Sequence, residues 1–219
     1  MPDDDARTRL RAAALDLFGR HGVAHTSTRD ILRAAGMKNP SAITYHFGSK
    51  AELVDDLVKE ILNRRGSVLQ PQIDLAAREA HPRAEDWAAC AVDWSLALVS
   101  TERGCLLARL YWEYDGHLRP AALEEFLASD HPMARAWKDA IFQTFPSLPP
   151  WIALARNTTV LRSLEWMMAR KAAENLRPEG SYWQAHDVES RPFMIDVCVG
   201  ILTGPNSLPA ARWPPGSMP

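Results

Sequence analysis

The chain has 219 residues, of which 47% are hydrophobic and 24% are charged, and its formal net charge is −2. This apolar fraction and the eight tryptophans exclude a chain that is disordered along its whole length. No run approaches the roughly 18 apolar residues of a membrane span, and the acidic start at residues 1–5 does not resemble a secretory signal. The well-separated cysteines Cys90, Cys105 and Cys198 predict reduced thiols, so we expect a cytoplasmic protein with no membrane partner.

Charge is distributed unevenly along the chain. Residues 6–50 contain eight Lys and Arg side chains against two acids, Asp16 and Asp30, while the remaining residues are acidic overall. A basic segment on an acidic body is typical of a protein that binds a polyanion, although a solvated basic face has the same composition. All eight tryptophans lie after residue 80, so the basic segment also differs from the body in its aromatic content.

Helical signals dominate the first fifty residues. An apolar stripe predicts a first helix over 6–21, which Gly22 ends. A capping box at 27–30 predicts a short second helix that ends at Gly36, and an Asn-Pro pair predicts a third helix over 40–46.

The rest of the chain also has a helical period and no alternating strand pattern, so the predicted fold class is all-α. A second capping signal opens a fourth helix at about residue 50. Longer helices are predicted over 86–101, 103–114, 120–129, 132–145, 151–175 and 187–203. The proline-rich tail from Gly204 onward is expected to be extended or disordered.

Two short helices joined by a glycine-containing turn predict a helix-turn-helix, whose second helix enters the DNA major groove with its N-terminal end first. The small residues Ser41 and Ala42 at that end allow the backbone to approach the base edges. Tyr45 and His46 near the other end suit phosphate oxygens. Lys50 adds a cation beside the free N–H groups that begin the next helix, where a phosphate is favoured.

The segment 36–53, which reads GMKNPSAITYHFGSKAEL, resembles the DNA-binding domain of the tetracycline-repressor (TetR) family, as do 12–18 and 26–31. The stretch 36–47 is one residue longer than the commonest family pattern, and Thr44 stands where the family often has tyrosine. The residues predicted to contact DNA are Thr28, Arg29, Lys38, Asn39, Ser41, Ala42, Thr44, Tyr45, His46 and Lys50.

The resemblance, which covers residues 6–61, implies a domain order. We expect a three-helix helix-turn-helix domain over 1–48, a connecting helix over 49–65, a helical ligand-binding and dimerisation domain over 66–204, and a tail over 205–219. In the family, the last two long helices pair with their copies as a four-helix bundle. The apolar residues of 151–175 and 187–203, such as Leu164 and Val197, are therefore predicted to form a homodimer interface, with a core inside one subunit as the alternative.

Aromatic residues of the body have two interpretations, an ordinary core or an apolar pocket with a few polar groups. The resemblance favours a pocket for a small apolar or aromatic effector. Its candidate residues are Trp94, Arg109, Tyr111, Trp112, His117, Trp137 and Trp166. Arg109 and His117 are the candidate polar groups, although Arg109 could instead pair with Glu113.

Signals for other chemistry are weak. Gly22 separates His21 from His25 and Gly116 separates Glu113 from His117, so we predict no metal site. The sequence has no nucleophile elbow, P-loop, dinucleotide fingerprint or HExxH motif, and we predict neither a catalytic site nor a cofactor.

The predicted function is therefore that of a homodimeric transcriptional regulator on a palindromic DNA operator, a repressor that a small ligand releases. An activator or a ligand-blind regulator of the same family is the first alternative. A small helical enzyme with a coincidentally basic N-terminus, and an interaction scaffold that has lost DNA binding, are alternatives from other classes.

Overall fold

The structure, a computed structural model, describes residues 2–79, 81–114, 122–176 and 187–205, and it describes the side chains in these ranges except those of 2–4, 61–68, 122–124 and 187–190. The described residues form α-helices and no strand, which confirms the all-α prediction. None of these helices is long and apolar enough to cross a membrane. In chain order they are α1 (Pro2–His21), α2 (Thr28–Ala34), α3 (Ala42–Phe47), α4 (Lys50–Arg78), α5 (Ala84–Val99), α6 (Glu102–Glu113), α7 (Ala122–Ala128), α8 (Pro132–Thr144), α9 (Pro150–Asn175) and α10 (Asp187–Thr203).

Most helices match their predicted ranges to within a few residues, and α10 has the predicted bounds. The helix predicted over 120–129 is observed as α7, and its first two predicted residues lie outside the described ranges. Most of the predicted tail, from residue 206 onward, also lies outside them.

The fourth helix is longer than predicted. Its start follows the predicted capping signal, because Ser49 Oγ accepts the N–H of Glu52 at 3.1 Å. It then runs for 29 residues through Gly66 and Pro71. Proline lacks an N–H, so the helix loses a backbone hydrogen bond there without ending. Residues 50–65 of the predicted connecting helix are thus the first part of the longer helix α4.

Contacts divide the chain into two compact units, and the first contains the helix-turn-helix segment. It comprises the described parts of Met1–Arg65, Ala97–Pro120 and Met167–Ala185. Helix α6 packs tightly against α1, since a Cβ on Gly19 would lie within 2.9 Å of Leu106 atoms. The largest fully buried side chains in this unit are Leu10, Leu15, Phe18, Ile31, Leu53, Leu57, Leu107 and Leu110.

The second unit comprises the described parts of Gly66–Leu96, Ala121–Trp166 and His186–Pro219, and a buried polar network crosses its core. Trp137 Nε1 donates to Gln72 Oε1 at 2.8 Å, and Gln72 Nε2 donates to the carbonyl oxygen of Trp87 at 3.0 Å. Trp87 Nε1 in turn donates to Asn157 Oδ1 at 2.8 Å. These four side chains are almost completely buried. Each indole N–H has a partner, as a buried donor requires.

A second link in this unit joins α9 to the end of α10. Arg156 donates from its two terminal nitrogens to the carbonyl oxygens of Leu202 at 2.7 Å and Gly204 at 2.6 Å. Carbonyls at a helix C-terminus lack helical partners, so a guanidinium satisfies them and complements the negative end of the helix dipole.

The three cysteines are free thiols, as predicted. Burial raises the pKa of Cys198 to about 12, and it also raises the pKa of Cys105, whose Sγ donates to the carbonyl oxygen of Val99 at 3.1 Å. These thiols are therefore protonated at neutral pH and are poor nucleophiles.

Candidate nucleic-acid interface

Helix α2 begins at a reciprocal capping box, as its sequence predicts. Ser27 Oγ accepts the N–H of Asp30 at 3.1 Å, and the Asp30 carboxylate accepts the backbone N–H and the hydroxyl of Ser27 at 3.2 and 2.5 Å. Hydrogen bonds from Ser27 lower the pKa of Asp30, the hydroxyl contributing more than the backbone N–H. The carboxylate is therefore ionised at neutral pH and accepts both bonds of the cap. Thr28 and Arg29, in the first turn of α2, are exposed.

A Schellman turn ends α2 and turns the chain toward α3. The N–H groups of Met37 and Gly36 donate to the carbonyl oxygens of Leu32 and Arg33 at 2.8 and 3.1 Å. Gly36 has a φ of 67°, a left-handed conformation that favours glycine. This turn gives the helix-turn-helix its sharp angle.

Helix α3 begins at Ala42, two residues later than predicted. Asn39 Oδ1 accepts the N–H of Ser41 at 3.0 Å, and the Asn39 carbonyl accepts the N–H of Ala42 at 3.2 Å. Asn39 therefore forms a side-chain-closed turn over Pro40 instead of capping a helix that starts there. Ser41 takes the N-cap position without a side-chain cap bond.

Side chains of α3 separate into a buried and an exposed side. Ala42 and Ile43 are buried, so the Ala42 methyl group packs inside the protein. Ser41, Thr44 and Tyr45 share the exposed side. Tyr45 is 74% exposed, which leaves a large aromatic ring and its hydroxyl in solvent. An exposed row of this kind has no packing role and suits contact with a partner.

Two contacts involve the aromatic side chains at the end of α3, and one of them reaches α1. Half-buried His46 lies with its ring centroid 4.9 Å from that of Tyr45 in an edge-to-face arrangement. The guanidinium of Arg7, on α1, lies 4.9 Å from the ring centroid of Phe47. Helix α3 is thus held against α1 at its C-terminal end.

Most basic side chains of 6–50 are neutralised by acids within the first unit. Arg7 pairs with Asp56 at 2.9 Å, and Arg11 pairs with Asp56 and with Glu60. Further pairs join Arg9 to Asp5, Arg20 to Asp16 and Glu102, and Arg33 to Asp30.

In the part of the chain that the structure describes, Arg29 and Lys38 make no ion pair, and both are exposed. The positive charge available to a polyanion is therefore concentrated at α2, at the turn before α3 and at Lys50.

Lys50, the first residue of α4, has an internal partner. Its Nζ donates to the carbonyl oxygen of Val23 at 2.6 Å and lies 5.8 Å from the ring centroid of Phe18. One of its three N–H groups is thus used inside the protein, and two are left for other acceptors.

Sequence reasoning missed Glu113, whose carboxylate reaches this segment from α6. Its Oε1 and Oε2 accept the N–H of Val23 at 2.9 and 3.0 Å, across 90 residues of sequence. No local pattern signals a bond of this span, and the sequence suggested only a pairing of Glu113 with His117 or Arg109.

The residues predicted to line an effector pocket are divided between the two units. On α6, in the first unit, lie Arg109, Tyr111 and Trp112. In the second unit lie Trp94, Trp137 and Trp166. Tyr111 and Trp137 are buried, Trp94 is half-buried, and Trp112 and Trp166 are exposed. His117 lies outside the described residues.

These features define a helical protein with a helix-turn-helix whose second helix presents polar side chains outward beside uncompensated cations. Comparison with known proteins agrees: residues 10–57 match the model of the tetR family of bacterial regulatory proteins. The helix-turn-helix segment of the chain is therefore similar to that of the tetR family.

One curated relative is the HTH-type transcriptional dual regulator CecR of Shigella flexneri, which is 39% identical over 75 residues. The match covers 34% of this chain and 33% of that protein, so the chain spans about a third of the length of this relative.

Two solved structures share the fold along most of the chain. The fatty acid degradation regulator FadR from Bacillus halodurans is 13% identical with a TM-score of 0.55, and the match covers 91% of this chain and 95% of that one. A bacterial regulatory protein in the tetR family from Rhodococcus RHA1 is 17% identical with a TM-score of 0.52, with 88% and 96% covered.

Proposed function

We propose that the chain is a transcriptional regulator that binds a specific DNA duplex in the cytoplasm through residues 26–50. The observation that carries this proposal is the two-sided arrangement of α3, where Ala42 and Ile43 are buried while Ser41, Thr44 and Tyr45 are exposed. An exposed polar side on the second helix of a helix-turn-helix is what readout of base edges in the major groove requires.

The distribution of charge supports the same proposal. Arg29 and Lys38 make no ion pair within the described residues, and they lie in the segment that carries the exposed side of α3. Cations that are not neutralised inside the protein release counterions when they meet phosphates, and this release drives DNA binding. Arg29 and Lys38 are therefore proposed to contact phosphates, and Ser41 and Thr44 are proposed to contact base edges.

The test compares the wild-type chain with single alanine variants on duplexes selected from a random pool. Arg29→Ala and Lys38→Ala should each weaken binding to all sequences and reduce the slope of log Kd against log salt by about one. Arg135→Ala is the matched control, because Arg135 is an exposed cation on α8 in the second unit. Thr44→Ala should instead change which sequence is preferred. Equal effects of Arg135→Ala and Lys38→Ala would contradict the assignment.

The regulator is proposed to act as a homodimer through α9 and α10, since two linked helix-turn-helix segments match a palindromic operator. On helix α10, Met194, Cys198 and Leu202 are buried, whereas Phe193 on another side is 55% exposed. An aromatic ring that a monomer leaves in solvent suits an interface.

Phe193→Lys should convert a dimer of twice 24.5 kDa into monomers in light scattering. Trp112→Lys, at an exposed aromatic on α6, should leave the mass unchanged. Leu164, which the sequence suggested as an interface position, is only 2% exposed, so a charge there would disturb the core of the subunit itself. A wild-type mass of 24.5 kDa at micromolar concentration would contradict the dimer.

A small apolar effector is proposed to release the DNA, because the helical body carries large aromatic side chains beyond those of the polar network. Straight-chain fatty acids are a suitable first probe, since one protein of similar fold is described as a regulator of fatty acid degradation. Binding should raise Tm, quench tryptophan fluorescence and weaken DNA affinity by reciprocal linkage. Unchanged DNA affinity across the panel would favour a ligand-blind regulator or an activator.

A further inference from the structure

Glu113 is the last residue of α6, and its carboxylate is fitted closely to the turn that follows α1. Both of its oxygens lie within 3.0 Å of the Val23 nitrogen. The residue before Val23 is Gly22, where an added Cβ would lie 3.2 Å from Glu113 Oε2. Gly22 also has a φ of 87°, so both the backbone conformation and the close approach favour glycine at this position.

The same residue of the turn is also held from the other side. The Val23 carbonyl oxygen accepts the ammonium of Lys50 at 2.6 Å. The N–H and C=O groups of Val23 therefore connect the end of α6 to the start of α4. We name the Glu113 carboxylate, the two backbone groups of Val23 and the Lys50 ammonium the Val23 clamp.

The Val23 clamp lies at the entrance to the helix-turn-helix. Thr26 N donates to the Val23 carbonyl oxygen at 3.3 Å, and Thr26 Oγ1 donates to the Gly22 carbonyl oxygen at 2.8 Å. The capping box of Ser27 follows directly and starts α2. The position of Val23 therefore affects two features of the helix-turn-helix. One is the start of α2, and the other is the position of the Lys50 ammonium, just after α3.

We propose that Glu113 is a positioning residue for DNA binding. It fixes Val23, and Val23 in turn fixes Lys50 so that the remaining N–H groups of the ammonium meet a phosphate of the bound duplex. A group held in place before binding loses less conformational entropy when it binds, so the clamp strengthens DNA affinity without touching DNA. This inference rests on the proposed function, and it places one determinant of affinity outside residues 26–50.

The experiment uses the full chain and a duplex that the wild-type protein has selected. Glu113→Ala removes the acceptor, and we expect it to weaken binding about tenfold, because the charge-assisted contact of Lys50 with a phosphate is weakened when Val23 is no longer fixed. Glu113→Gln keeps one neutral acceptor, so its loss should be about threefold. Glu102→Gln is the control, because Glu102 lies on the same helix and pairs with Arg20 of α1, and binding should change less than about twofold.

Two further readouts separate positioning from a general structural role. Amide exchange at Val23 should be faster in both Glu113 variants and unchanged in Glu102→Gln. The slope of log Kd against log salt should fall in Glu113→Ala as it does in Lys50→Met. In a Lys50→Met background, Glu113→Ala should have little further effect on Kd, because Glu113 acts through the phosphate contact that Lys50→Met has already removed.

The outcomes are distinguishable. If Glu113→Ala does not fold, Glu113→Gln carries the test on its own. Faster Val23 exchange with unchanged affinity and salt slope would overturn the positioning role and leave Glu113 purely structural. Losses of equal size with and without Lys50 would overturn the route through that side chain. A wild-type chain that binds no duplex overturns the proposed function itself, and this result precedes any measurement on Glu113.

Discussion

The helix-turn-helix and the core of the second unit are held together by hydrogen bonds of very different sequence span. The cap that starts α2 joins residues three apart, Ser27 and Asp30. The network in the second unit joins Trp87 to Asn157 and Gln72 to Trp137, across 70 and 65 residues. Within residues 27–47 the turns are closed by local hydrogen bonds and the polar side chains lie outward, and the long-range bond of Glu113 reaches only Val23, which precedes this segment. The second unit instead buries polar side chains among long-range partners. Changes in the two regions should therefore affect different properties, DNA binding in one and stability in the other.

The largest effect on stability is expected for Trp137→Ala, because Trp137 is completely buried and holds Gln72. Removing the ring leaves a cavity and an unpaired amide oxygen, which should cost about 3–5 kcal/mol of the free energy of unfolding. Urea denaturation followed by circular dichroism measures this loss. A loss below about 1 kcal/mol would show that this core is not tightly packed.

A smaller loss is expected for Gln72→Leu, which keeps the volume and removes the partner of the Trp137 N–H. An unsatisfied buried donor should cost about 1–3 kcal/mol. Trp137→Phe also removes the N–H donor. Gln72→Leu should therefore lower the free energy of unfolding less in the Trp137→Phe variant than in the wild-type chain. Additive losses in this cycle would contradict a direct bond between the two side chains.

The turns before and after α2 each contain a glycine with a positive φ, and the costs of replacing them should differ. Gly22→Ala meets both a φ of 87° and the carboxylate of Glu113 at 3.2 Å, and we expect a cost of about 1–3 kcal/mol. Gly36→Ala meets only a φ of 67°, with no atom within 4 Å of the new Cβ, and should cost about 1 kcal/mol. Thermal unfolding of the pair measures the difference, and the reverse order would contradict the close fit at Gly22.

The smallest effect on stability is expected for Tyr45→Ala, because the side chain is 74% exposed. The free energy of unfolding should change by less than about 0.5 kcal/mol. The same variant should weaken DNA binding, which anisotropy on the selected duplex measures. A variant that loses stability and keeps its affinity would reverse the roles assigned to the two regions.

Features that depend on residues close together in the sequence could be predicted, whereas features that depend on distant residues could not. Ser27, Asp30, Gly22 and Gly36 carry local signals, and the caps and turns that they predict are present. The start of α3 was predicted two residues early, because the Asn39 side chain closes a turn where a helix cap was expected.

Hydrogen bonds between residues far apart in the sequence leave no local pattern from which they could be predicted. Nothing near Glu113 indicates a bond to Val23, and Trp137, proposed from its sequence as a pocket residue, has a partner 65 positions away. The exposed positions of the helix-turn-helix could thus be predicted largely from local pattern and resemblance, whereas the clamp and the polar core required the fold.

DNA recognition by this chain can be tested by selecting duplexes from a random pool with the wild-type protein and footprinting the enriched sequence. We expect one enriched sequence with two-fold symmetry, whose half-sites are about one helical turn, or roughly 10 base pairs, apart. Protection should disappear with rising salt as phosphate contacts are lost. A pool that remains random after repeated selection, with no protected region at low salt, would contradict DNA recognition by this chain.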